Sequence, residues 1–192
     1  MLSRTGERIA DRVGALPEGL RQHIYRVQQV ALDLARQHSI EEEKARLGAL
    51  AHDVARTMNG EELLRNAREF GITVHPVEEK VPILLHGPVG AEILKRMDGL
   101  DDQDVYEAVY WHSTAHAGLG PVGKVVFLSD KLDPQKVSRY PFQRELGDLA
   151  VKSLDRAIFE FLNRELVSLL QKGSLVHPVE VEARNDLAIK ML

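Results

Sequence analysis

The apolar residues of this chain recur at intervals of three and four almost from end to end, a spacing that keeps them on one face of a helix. Ile24, Val27, Ala31, Leu34 and Ala35 hold it, as do Leu146, Leu149, Ala150, Leu154, Ala157, Phe161, Leu162, Leu166 and Leu169. Only the run Val125-Val126-Phe127-Leu128 could pass for a strand. It is short, and Asp130-Lys131-Leu132 continues a helical pattern, so it reads as helix. The expected fold class is all-α.

Breaks in that period predict the elements. A first helix carrying Ile9, Val13 and Leu16 closes around Gly14 and Pro17. A second starts near Gly19 and stops near His38-Ser39. A third opens with Glu41, Glu42 and Glu43, acids that the helix dipole favours in a first turn, and runs to His52-Asp53. Asn59-Gly60 is a break, and a fourth helix runs from Glu61 to Phe70 with Gly71 ending it. The stretch from Gly71 to Val81 reads as loop or very short elements. Further helices are expected over about 86–98, 102–113 and 119–131, then a loop from Pro134 to Pro141. One long helix is expected over about 144–172, and Pro178 opens a last one. With no linker, repeat or low-complexity segment, 192 residues read as one domain, with a core over about 20–135 and a C-terminal helical part over about 142–192.

Composition narrows the function. Lys+Arg 25 against Asp+Glu 29 leaves a net charge of −4, which argues against a generally basic nucleic-acid binder. One tryptophan, four tyrosines and five phenylalanines make stacking platforms for single strands an unattractive reading. Cysteine is absent, which excludes disulfides, thiolate zinc sites and a cysteine nucleophile. Arg4, Glu7, Arg8, Asp11 and Arg12 leave no room for an apolar leader segment, and no apolar run approaches the ~18 residues that span a bilayer. A cytoplasmic protein is expected, with no nucleic-acid or membrane partner and a homodimer open.

Eight histidines then stand out. His23, His52, His86 and His112 fall in predicted helices; His38 and His75 read as structural or exposed. A single helical histidine is usually a hydrogen-bonded core or surface residue. The pair His52-Asp53 changes that reading. Neighbouring helical residues point about 100° apart, so the two cannot share one ligand direction but can both reach a two-metal cluster between helices. With His23, His86, His112 and Asp130 they give imidazole and carboxylate donors suited to divalent Fe, Mn, Co or Zn, distributed as bundle metal sites are.

The order His23, His52-Asp53, His86, His112, Asp130 resembles the HD-domain metal phosphohydrolases, in the subset with extra histidines that binds two metals. More specifically, Leu50-Ala51-His52-Asp53-Val54-Ala55-Arg56, Leu85-His86-Gly87-Pro88-Val89-Gly90-Ala91, Trp111-His112-Ser113-Thr114 and Leu128-Ser129-Asp130-Lys131-Leu132-Asp133-Pro134 are similar to successive blocks of the YqeK family. The tail His177-Pro178-Val179-Glu180-Val181-Glu182-Ala183-Arg184-Asn185 resembles its C-terminal block. That family contains symmetrical bis(5′-nucleosyl)-tetraphosphatases. The resemblance implies an HD-domain helical bundle, a small dinucleoside polyphosphate as partner, and cleavage of diadenosine tetraphosphate to two ADP at two divalent ions, iron first, with manganese, cobalt or zinc as alternatives.

It also implies roles. Asp53 would bridge the ions, with His23, His52 and Asp130 completing one and His86 and His112 the other. Arg56, about one turn past His52, would grip polyphosphate in the position of a family lysine, as would Lys131; each has a plain alternative as a solvated surface residue. Thr114 would bond a phosphate oxygen or cap its helix. Where the family has Gly then Arg, this chain has Ala115 and His116, so His116 stands as a substitute phosphate ligand or a surface residue. Lys136 or Arg139 would play a second family arginine. His177-Pro178 would fix the chain entering the last helix. Competing readings are another HD phosphohydrolase of nucleoside mono- or triphosphates, a non-catalytic nucleotide-sensing domain, and a helical adaptor; the last two give no reason for a full ligand set.

Overall fold

The computed structural model describes residues 4–192, and among these there is no strand. Eleven α-helices follow one another: α1 Arg4–Gly14, α2 Glu18–Gln37, α3 Glu42–Ala51, α4 Gly60–Phe70, α5 Pro76–Lys80, α6 His86–Ile93, α7 Gln103–Trp111, α8 Pro121–Lys131, α9 Gln143–Lys152, α10 Leu154–Gln171 and α11 Pro178–Lys190. Short 3₁₀ turns lie at Pro82–Leu85 and Pro134–Lys136.

The largest core joins α2, α3 and α8 to the C-terminal helices through Val27, Ala31, Ala49, Val126, Phe127, Leu146, Ile158 and Phe161. Phe127 is fully buried and meets Phe161 edge-on at 5.5 Å; burying such a ring contributes about 1.5–3 kcal/mol. A second cluster seats α1, through Ile9 and Val13, against Leu50, Leu94 and Val109. A third packs Leu63 and Ala67 of α4 on Leu85, Val89 and Ile93. Two glycines set helix spacing. A Cβ on Gly48 would stand 3.0 Å from Val126 Cγ2, and one on Gly87 would stand 2.6 Å from the Tyr110 carbonyl. The second approach brings the start of α6 to the end of α7.

Several boundaries differ from the sequence reading. The long helix expected from 144 is two helices. Ser153 leaves helical geometry at φ −160° and its side chain accepts the Arg156 N–H, capping α10. Leu154 continues the apolar period across this break, so periodicity could not reveal it. Helix α3 ends at Ala51, leaving His52 and Asp53 in the turns that follow. The helix expected to reach 98 changes to a π-turn over Leu94–Asp98, where Asp98 receives Arg12 Nε at 2.7 Å and Gly99 closes the turn at φ 75°. Among the described residues no helix is long and apolar enough to cross a membrane.

Candidate metal centre

Five of the six ligand-type residues sit at helix ends. His52 and Asp53 follow α3, His86 opens α6, His112 follows the last residue of α7, and Asp130 lies in the last turn of α8; His23 alone is inside a helix, α2. The last carbonyls of a helix lack full sets of intrahelical partners. Three imidazoles use such nearby carbonyls. His52 Nδ1 contacts the Ala49 carbonyl at 2.7 Å and His112 Nδ1 the Val109 carbonyl at 2.8 Å, while His86 Nδ1 is held by the Ile83 carbonyl. A carbonyl only accepts, so in each ring Nδ1 carries the proton and Nε2 presents a lone pair.

Those Nε2 atoms converge around Asp53. Its Oδ1 lies 3.0 Å from His86 Nε2 and 3.5 Å from His112 Nε2. Its Oδ2 lies 3.5 Å from His52 Nε2 and 3.6 Å from His23 Nε2. Asp130 Oδ1 faces the latter pair, at 3.1 Å from His23 and 3.7 Å from His52. His86 and His112 bring their Nε2 lone pairs within 2.9 Å, and His23 and His52 theirs within 3.4 Å. Facing lone pairs repel unless a cation lies between them. Two overlapping donor triplets, His23-His52-Asp130 and His52-Asp53-His112, each fit within 4.8 Å. The donor set therefore fits divalent first-row ions.

Charge follows the same plan. Burial lowers the His52 pKa and pushes His112 down to about 3, so both rings are neutral at pH 7. Burial alone would raise the Asp53 carboxyl, but His52, His112 and His86 hold it well below the usual range. Burial acts likewise on Asp130, and Lys131, His23 and Lys136 outweigh it. His23 is raised: burial lowers it, but bonds to Asp130 and Asp133 prevail.

Asp133 was not among the expected site residues. It contacts His23 Nδ1 at 2.6 Å and is itself gripped by Arg26, at 2.7 and 2.9 Å. A carboxylate on the far nitrogen of a ligating histidine fixes ring and tautomer. Its signal was available three residues beyond Asp130 in a block already singled out. Ser113 was missed too, with Oγ 3.3 Å from His112 Nε2 and 3.4 Å from His86 Nε2. Sequence favoured its neighbour Thr114, and only the rotation at the helix end distinguishes the two hydroxyls.

The cluster floors a cavity of about 270 Å³. Arg56, Lys131, Lys136 and Arg139 line it. Lys131 is buried and committed, donating to the His112 carbonyl at 2.7 Å and Asp130 at 2.9 Å. Lys136 is ion-paired to Asp130 Oδ1. Arg56 and Arg139 have no carboxylate partner among the described residues. Arg56 reaches the cavity from a turn closed by its N–H on the Asp53 carbonyl, instead of from the helical turn that the sequence suggested. Two expected substrate residues lie elsewhere. Thr114 is buried outside the cavity lining. His116 packs on Trp111 at 4.8 Å and borders a separate crevice with Lys124 and Asp186. The cause is Ala115, whose φ of 57° turns the chain away just after the site.

Residues 20–135 match the HD domain family. The symmetrical bis(5′-nucleosyl)-tetraphosphatase of Bacillus subtilis is 28% identical over 156 residues, 81% of this chain and 82% of the relative. The protein of the same name from Halalkalibacterium halodurans is 28% identical over 175 residues, 91% of this chain and 92% of its own length. A crystal structure from Clostridium acetobutylicum, described as a predicted HD superfamily hydrolase involved in NAD metabolism, superposes with a TM-score of 0.91 at 27% identity and covers 99% of both chains. With this match spanning most of the chain, and with a His-Asp pair at the centre of a helical donor cluster, the protein belongs to the HD domain family of hydrolases.

Proposed function

We propose that this protein is a symmetrical dinucleoside tetraphosphatase, cleaving diadenosine tetraphosphate to two ADP at a centre of two divalent ions. The observation that carries the reading is Asp53, whose two oxygens face different histidine pairs. His23, His52 and Asp130 would hold one ion, His86 and His112 the other, and Asp53 both. Iron is the first choice, with manganese, cobalt or zinc as alternatives for an imidazole-carboxylate set. Bound divalent ions supply Lewis acidity toward phosphoryl oxygens and acidify a water that can attack the phosphoanhydride.

The chain's own residues do the rest. Asp133 and Arg26 orient His23; the Ala49, Ile83 and Val109 carbonyls orient the other rings. Arg56 and Arg139, free of carboxylates, are placed to pair with phosphate oxygens, where a guanidinium binds in bidentate fashion. Lys131 and Lys136 offset the charge of Asp130. Names borne by the relatives support the same substrate. The reading includes a single HD domain, a cytoplasmic nucleotide substrate, no nucleic-acid partner, and a homodimer as the assembly to test by sedimentation.

The deciding experiment is chromatography of the products of diadenosine tetraphosphate after incubation with iron- or manganese-loaded protein. Two ADP support the proposal. AMP plus ATP would mean asymmetric cleavage. No turnover of this substrate, with release of phosphate from mononucleotides, would favour a different HD phosphohydrolase.

A further inference from the structure

The cavity runs from the metal cluster to α10 and α11, which line its other end with Phe161, Glu165, Leu169 and Glu180. Burial, with Glu165 adding to it, pushes the Glu180 carboxyl up to about 7, against the pull of Lys131 from α8. Tyr140 lines the same cavity and feels the charges of both ends, Asp130 from the cluster and Glu165 and Glu180 from α10 and α11. It is 5% exposed. Its ring packs edge-on against Phe161 at 5.3 Å and tilted against Phe142 at 5.9 Å, with the Arg139 guanidinium 5.3 Å from the ring centre.

The hydroxyl is surplus to this packing. A phenylalanine would fill the same aromatic cluster, and a buried phenol normally finds a hydrogen-bond partner. Tyr106 shows the usual arrangement, donating to Glu92 Oε1 at 2.6 Å. The Tyr140 hydroxyl has no such partner among the described residues, yet it is not sealed from solvent. An unpaired polar group so enclosed costs free energy in the empty protein. Burial raises its pKa; Arg139 opposes this, and Glu165, Asp130 and Glu180 add to it. The phenol therefore keeps its proton near neutral pH and is a donor whose acceptor must come from a ligand. Cations share its turn. The Arg139 and Tyr140 N–H groups both donate to the Lys136 carbonyl, at 3.0 and 2.9 Å, and Lys136, Arg139 and Tyr140 line the cavity together.

We propose that Tyr140 is a substrate-binding residue, its hydroxyl donating to an oxygen of a non-reacting phosphate that Arg139 also holds. A phosphoryl oxygen only accepts, and it carries the charge that a guanidinium pairs with. Glu165 and Glu180 repel phosphate, so the bond forms on the Arg139 side of the cavity. None of the six ligand-type residues hydrogen-bonds the hydroxyl, so the phosphate it meets is beside the one at the ions. A phosphate that does not react is held alike before and during the reaction, so Tyr140 sets affinity and leaves the chemical step alone. The inference rests on the phosphoanhydride reading above, but its test does not require turnover.

The test compares wild type with Tyr140→Phe, both metal-loaded, by calorimetry with inorganic pyrophosphate and with ADP, and by thermal unfolding without either ligand. Tyr140→Phe should weaken pyrophosphate and ADP alike by about tenfold, the low end for a bond to a charged acceptor, with metal content unchanged. Without ligand it should melt no lower than wild type, because it loses only a group that the empty protein leaves unpaired. On diadenosine tetraphosphate KM should rise by a similar factor while kcat stays within about twofold. A structural role would instead lower stability along with binding, so a variant that unfolds or melts lower overturns the proposal. Unchanged pyrophosphate affinity overturns it too, and ADP weakened alone would assign the hydroxyl to the nucleoside. A fall in kcat at constant KM would place the hydroxyl on the reacting group and equally sink it. If diadenosine tetraphosphate is not cleaved but Tyr140→Phe weakens pyrophosphate, the tetraphosphatase reading fails and the phosphate contact stands.

Discussion

At the end of the cavity formed by α3, α7 and α8, ring nitrogens and carboxylates are held from behind: Nδ1 atoms by carbonyls or Asp133, Asp133 by Arg26, Asp130 by two lysines. At the α10–α11 end Glu180 is buried and Glu165 half-buried, yet neither carboxyl has a hydrogen-bond or ion-pair partner among the described residues. The contrast separates two duties. Chemistry at a phosphoanhydride needs fixed geometry, and a supporting shell provides it. Recognition needs groups whose partners come from the ligand, and the empty protein tolerates the cost.

The sharpest way to break this comparison is at Asp53. Asp53→Ala should lower kcat at least 100-fold, about 2.7 kcal/mol on the barrier, and reduce bound metal measured by elemental analysis. Retention of more than a tenth of the activity would show that the two histidine pairs do not depend on a shared carboxylate. Next is Asp133→Asn, which keeps shape but loses charge. Supporting carboxylates of ligating histidines are typically worth about 10–100-fold in affinity or activity, and metal titration should show that loss while helicity stays constant.

The other end gives the opposite sign. A carboxyl raised above its unfolded value makes the folded state lose stability as pH rises from the ordinary glutamate range through about 7. Glu180→Gln should therefore raise thermal stability at pH 8 by about 2 kcal/mol, or ~4–8 °C for a chain of this size, and have little effect at pH 4. An equal effect at both pH values would mean that Glu180 is not strained by its burial. Between the two ends, Arg56→Ala should cost about tenfold in kcat/KM, the low end for a charge-assisted bond because Arg56 is exposed, with metal content unchanged. The loss should be larger on a tetraphosphate than on a monophosphate. Smallest is Ala115→Gly: relieving a positive φ of 57° should stabilise the fold by about 0.5–1 kcal/mol in denaturant titration and leave turnover alone.

The helical faces were legible because burial follows period: Ile24, Val27 and Ala31 are all fully buried. The break at Ser153 was not, because Leu154 keeps the apolar period and the capping signal is a lone serine. Residue order, helped by family resemblance, brought forward Asp53 and the five ligand-type residues clustered with it. Spacing could not supply the tertiary facts: that α3 stops at Ala51, that Arg56 swings in from a turn, or that the left-handed Ala115 carries His116 away. Glu180 was hidden for a different reason. An acid in the first turn of a helix looks like a dipole-favoured surface residue, and only the packing of α10 encloses it.

The three histidine clamps share one detail: each Nδ1 reaches the carbonyl three residues earlier, in Ala49-His52, Ile83-His86 and Val109-His112. Such a contact closes within a single turn of chain. Each ring can take up its orientation as its own segment forms, before the helices meet, so the rotational freedom of the side chain is surrendered during folding and not at ion capture. Loading should then resemble entry into a rigid chelator, with little reordering of these three rings between the empty and filled protein.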